Sequence, residues 1–231
     1  MIFTISDLHL SLSVSKPMDV FGEKWANHHL RLKENWLLKV NENDTVVIPG
    51  DISWAMTLEE AKADFEFLHS LPGKKIIGKG NHDYWWQTKK KLDCFIEENG
   101  FNSISVLYNN AYKVEDKIIC GTRGWITENT PDENDEKIVL REAGRLSLSI
   151  ECAKKLAENG EEIIVFLHYP PAYRGEVSVP LCKKFVVEKI KRCYYGHIHS
   201  ADKRYLISKY GDTELSLVSS DFLNFEPMAV L

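Results

Sequence analysis

Two rhythms of apolar and polar positions divide the chain. Short, nearly continuous apolar runs bounded by turn residues recur at Ile2 to Ile5, Thr45 to Ile48, Lys75 to Ile77, Lys117 to Cys120, Ile163 to Leu167 and Arg192 to Tyr195. Runs of this kind suit buried strands. Between them lie helical patterns at His29 to Val40, at Leu58 to Leu71 with Ala61, Phe65 and Leu68 on one face, and at Ile138 to Glu158. Thr57 followed by Glu60 is a capping box for the second helix. The first half reads as alternating strands and helices, whereas Ser103 to Cys120 and Lys203 to Leu217 read as consecutive strands. That mixture predicts an α/β protein with two packed sheets rather than one wholly parallel sheet. The acidic stretch Thr130 to Lys137 reads as a solvated loop before a helix.

Composition narrows the function classes. The chain has 231 residues, 44% hydrophobic and 27% charged, which suits one large domain spanning residues 1–231. Its formal net charge of -5 offers no basic footprint for nucleic acid. Five cysteines without a CxxC pair indicate neither a disulfide framework nor a thiolate zinc site. The start MIFTISDLHL lacks the basic and apolar regions of a signal peptide, and no stretch is long enough to span a bilayer, so the expectation is cytoplasmic.

Chemistry gathers directly after the predicted strands. Asp7 and His9 follow the first, Gly50 and Asp51 the second, and Gly80, Asn81, His82 and Asp83 the third. Later, His168 ends one strand, and His197 and His199 end another. Loops at the carboxyl ends of adjacent strands converge, so these side chains can surround one point. Carboxylate, amide and imidazole donors without thiolate suit manganese, iron or zinc. The donors outnumber the needs of one four-coordinate ion and are enough for two.

The series DLH, GD, GNHD, LHYPP and GHIH, in this order from Asp7 to His199, resembles the calcineurin-like metallophosphoesterase superfamily. The resemblance implies a four-layer αββα sandwich with two facing mixed β-sheets. It implies two divalent metal ions (Mn, Fe or Zn), one held by Asp7, His9 and His199, the other by Asn81, His168 and His197, with Asp51 bridging. Its activity would be phosphoester hydrolysis by a metal-bridging hydroxide, with His82 assisting the leaving group. A phosphodiesterase acting on nucleotides or cyclic nucleotides, and a non-catalytic binding scaffold of the same fold, are the alternatives. The expected partner is a small phosphorylated substrate, with no role for membrane or nucleic acid.

One position departs from the pattern. Many relatives carry an acidic or amide residue three positions after the bridging aspartate to orient the catalytic histidine, and here Trp54 stands there. Asp83 is the expected substitute, acting with His82 in catalysis. Arg123 and Tyr169 are candidate substrate contacts, and the segment 126–137 is a candidate lid. His28, His29 and His69 read as surface or boundary residues of helices, and at least one of Trp85 and Trp86, read as the start of a helix, belongs to the core.

Overall fold

The computed structural model describes residues 1–127 and 133–230. Among them, β1 (Ile2–Thr4), β2 (Thr45–Ile48), β3 (Lys74–Ile77) and β4 (Ile104–Val106) pair in parallel, one beside the next. The connections after the first three carry α1 (His28–Lys39), α2 (Leu58–Ser70) and α3 (Lys89–Glu98). A second sheet is built from β5 (Ala111–Val114), β6 (Lys117–Thr122) and β7 (Glu162–Leu167), with α4 (Glu133–Leu156) between the last two. A small hairpin, β8 (Ala172–Tyr173) with β9 (Glu176–Val177), and α5 (Val179–Val187) precede β10 (Arg192–Tyr195), β11 (Lys209–Tyr210) and β12 (Thr213–Leu217). The second sheet runs β11-β12-β10-β7-β6-β5, mixing parallel and antiparallel pairs. The C-terminal β13 (Met228–Ala229) returns to pair antiparallel with β1.

Alternation along the central strands separates three apolar layers. In β2, Val46 and Ile48 face α1 and α2 through Leu32, Trp36, Phe65 and Leu68, while Val47 faces the other way. In β7, Val165 and Leu167 meet Leu146, Ile150 and Phe185 of α4 and α5. Its Ile164 and Phe166 join Val47, Ile2 and Ile76 in the layer between the sheets. Both faces of each central strand are therefore buried, which is why these strands read as continuous apolar runs. The result is the expected helix, sheet, sheet, helix sandwich.

Two local expectations change, and a third falls partly outside the described residues. Helix α4 begins at Glu133, not Ile138, because Glu133, Asp135 and Glu136 place carboxylates at the positive end of the helix dipole. Part of the candidate lid, residues 128–132, lies outside the described residues. Trp85 and Trp86 precede α3 instead of starting it, and both are buried. Among the described residues, no helix is long and apolar enough to cross a membrane.

Candidate metal centre

Strands β1, β2, β3, β7 and β10 point their carboxyl ends to one edge, and the loops after them interlock by backbone. The Asp7 N–H donates to the Gly50 carbonyl and the His9 N–H to the Asp51 carbonyl, both at 3.0 Å. Two glycines permit this closeness: a Cβ on Gly80 would stand 2.0 Å from Asp51 Oδ1, and one on Gly196 2.3 Å from Asp7 Oδ2. Asp7, His9, Asp51 and His197 all hold positive φ, at 58°, 46°, 51° and 71°. Left-handed backbone at non-glycine residues costs roughly 1–3 kcal/mol each and clusters where geometry serves function.

The seven donors expected from sequence come together at this edge. His9 Nε2 lies 3.0 Å from His199 Nε2 and 3.7 Å from Asp51 Oδ2. His168 Nε2 lies 3.5 Å from the same Asp51 oxygen and 2.6 Å from Asn81 Oδ1, which His197 Nδ1 approaches to 2.9 Å. Asp7 Oδ1 lies 3.7 Å from His199 Nε2. Asp7, His9 and His199 form one group able to hold a metal ion, and Asp7, Asp51 and His168 form another.

Four features fit cations. Asp51 Oδ2 is buried with no hydrogen-bond donor, although imidazole nitrogens flank it on two sides. Burial pushes the Asp7 pKa up, and burial with the Asp7 and Asp83 charges pushes that of Asp51 well up. Burial first, then neighbouring histidines, holds His9 and His168 well below the usual imidazole range, so both offer lone pairs. Buried carboxylates whose charge lacks a counter-ion, beside imidazoles kept neutral, are what a cation would complete.

His82 stands beside this donor set without joining it. Its backbone N–H donates to Asp51 Oδ1 at 2.8 Å, and its ring packs on Trp54 at 4.3 Å between centroids. Trp54 also stacks on His9 at 5.0 Å, so the unusual tryptophan walls both imidazoles. Burial, followed by the charges of His197, His199 and Lys16, lowers the His82 pKa to about 4.

Asp83 is not what orients His82. Its carboxylate accepts from the backbone N–H groups of Gly80, Ile52, Asp51 and Ser53 at 2.7, 2.8, 3.0 and 3.3 Å. It ties the loop after β3 to the loop after β2. The group facing His82 Nδ1 is Tyr84 Oη, at 3.4 Å.

Arg123 and Tyr169 also have structural engagements. The Arg123 guanidinium lies 5.0 Å from the Trp125 ring centre and 5.8 Å from that of Tyr169, with the buried Glu142 carboxylate 3.9 Å away. Tyr169 is buried, its ring 4.1 Å from that of His197. A cavity of about 500 Å³ opens instead over His197, Ile198 and His199, walled by Tyr173 and Arg174.

Sequence reasoning missed three residues here. Asp221, after β12, places Oδ1 3.0 Å from His199 Nδ1, while its Oδ2 accepts from Ser200 N–H at 2.7 Å and pairs with Lys24 Nζ at 2.9 Å. Burial opposes its charge, yet these partners hold the Asp221 pKa at about 2. His28 is buried rather than at the surface, its Nε2 3.0 Å from the carbonyl of Leu8, which lies between Asp7 and His9. Arg174 holds φ at 53° in the turn between β8 and β9 and faces the cavity.

Solved structures share this architecture. A protein of unknown function from Aquifex aeolicus is 17% identical, with 99% of this chain and 94% of that chain covered and a TM-score of 0.56. TT1561 of Thermus thermophilus is 11% identical over 94% of this chain and 87% of that one, with a TM-score of 0.57. Phosphopantetheinyl hydrolase from Mycobacterium tuberculosis is 12% identical over 94% and 88%, with a TM-score of 0.52. No functionally curated protein matches the chain. The family model for calcineurin-like phosphoesterases matches residues 1–201, which include every residue of the donor set, and the chain belongs to that family.

Proposed function

We propose that this chain hydrolyses phosphoesters with two divalent metal ions, manganese, iron or zinc. Asp7, His9 and His199 would hold one, Asn81, His168 and His197 the other, and Asp51 would reach both. The observation carrying the reading is Asp51 Oδ2, a buried oxygen without a donor between the imidazoles of His9 and His168. Two bound cations supply Lewis acidity, acidifying water and neutralising charge on the phosphoryl oxygens.

The chain's own residues do the rest. Asn81 adds an oxygen donor without adding charge, so the centre keeps its attraction for a phosphate. With Tyr84 Oη, 3.4 Å away, as donor to His82 Nδ1, the neutral imidazole would carry its proton on Nε2, from which it could donate to the departing oxygen. Trp54 packs on that ring and limits its rotation. A relative of this fold named as a hydrolase supports the reading, and monoesters and diesters are both chemically suited to the centre.

The test uses metal-stripped protein re-supplied with manganese, iron or zinc, on matched aryl phosphate mono- and diesters. Turnover is expected only with metal, and His82→Ala should lower kcat by about 10²–10⁴-fold while binding the metal as tightly as wild type. Unchanged kcat in His82→Ala would remove His82 from the chemistry. Tight metal binding with no turnover of either ester would favour a scaffold.

A further inference from the structure

The cavity over His197 and His199 does not end at the metal centre. A second cavity of about 400 Å³ shares its walls Ile126, Thr127 and Glu176, so the two form one groove running outward between α4 and the start of α5. The outer chamber is walled mainly by Val139 and Leu140 of α4, Val177 of β9, and Val179 and Pro180 of α5. Each chamber is the size of an ordinary small-molecule site. Their sequence along the groove is ordered: two ligand histidines and Arg174 inside, aliphatic side chains outside.

Polar groups in the outer chamber are chiefly hydrogen-bond acceptors. Glu176 stands at the junction and Glu136 farther out. Ser178, 5% exposed, belongs to the same lining, and its Oγ has no hydrogen-bond partner. Ser178 is the N-cap residue of α5, yet its side chain makes no capping hydrogen bond there, so the hydroxyl is left to the chamber. A second phosphate or a carboxylate at this end would meet two like charges; an apolar arm would meet matching walls.

From this groove we infer the substrate class: a phosphoester whose leaving alcohol is an extended aliphatic arm, with no anion beyond the phosphoryl group and a hydrogen-bond donor or amine at its far end. The inference rests on the phosphoesterase reading above. The phosphoryl group lies at the metal centre beside Arg174, the arm passes Ile126 and Thr127, and its end reaches Glu136. Burial of successive methylenes in the outer chamber supplies the selectivity, which the metal centre alone does not provide.

Calorimetry on the manganese-loaded chain with n-alkyl phosphates from methyl to octyl tests this, with phosphate release followed in parallel. Affinity should rise about fourfold per methylene across the lengths that enter the outer chamber. At equal length, an ω-aminoalkyl phosphate should bind more tightly than an ω-carboxyalkyl phosphate, by a margin that shrinks with salt. Leu140→Asp, at an exposed position of α4, should flatten the length dependence and leave methyl phosphate binding unchanged. A flat series in wild type would overturn the inference, as would a slope that Leu140→Asp does not alter or a preference for the carboxylate. A rising affinity without phosphate release would overturn the hydrolytic reading while keeping the chamber; release from methyl phosphate with a flat series would do the reverse.

Discussion

His199 is aimed by a carboxylate that belongs to none of the motifs. Asp221 faces its Nδ1, leaving Nε2 toward Asp7 and His9, and Lys24 holds the other oxygen of the same carboxylate. Such partners fix the tautomer and orientation of a ligating imidazole, and losing one costs about 10–100-fold in metal affinity. Asp221→Asn should therefore weaken the cation at Asp7, His9 and His199 by that factor and leave the other cation bound. A two-site manganese titration reads this directly, and equal weakening of both sites would contradict it. The rule that points to the donor side chains also covers Asp221, which follows a strand whose carboxyl end shares their edge. The motif series does not reach it, because that series ends at His199, twenty-two residues earlier. Asp83 differs from its expected role for another reason: sequence places it beside His82 but carries no sign that its side chain turns back onto four backbone N–H groups.

The loops that carry the donor side chains act as a framework. Asp83 docks the GNHD turn on the loop bearing Asp51, and Gly80 lets the two backbones approach. Asp83→Ala would leave four buried donors unsatisfied and should lower the unfolding free energy by about 3 kcal/mol. Urea unfolding of the metal-free protein measures it, and a change below about 0.5 kcal/mol would show that the turn stands without this carboxylate. Longer elements were legible: the runs at β1, β2, β3, β6, β7 and β10 and the patterns of α1 and α2 lie within a few residues of where they were expected. The two-residue strands β8, β9 and β13 were not, because so few residues carry no period. The hairpin of β8 and β9 is stabilised by its turn, where Arg174 and Gly175 both hold positive φ, and not by an apolar pattern.

Across the whole molecule, the centre joins the two sheets. Asp7, His9, Asp51 and Asn81 come from the loops of the first sheet, and His168, His197 and His199 from those of the second. Backbone bonds already couple these edges: Ser6 N–H donates to the Val218 carbonyl at 2.8 Å, and Ser220 N–H to the Ser6 carbonyl at 2.9 Å. The apolar pattern points to buried strands and two packed sheets; the four-layer order, with both sheets between helices, comes from the motif resemblance, since a run buried on both sides does not say what covers it. The groove between α4 and α5 was invisible for the same reason, as it is formed by residues from separate elements.

The central claim is that Asp51 joins two cations into one hydrolytic centre. Metal-stripped wild type and Asp51→Asn, each titrated with manganese and assayed on the preferred aryl phosphate, test it most directly. The account predicts two ions per wild-type chain with turnover that rises as they bind. In Asp51→Asn it predicts weaker binding of both ions and a fall in turnover of about a thousandfold. A wild-type chain that binds no metal, or that turns over equally well after chelation or with Asn at this position, would contradict it.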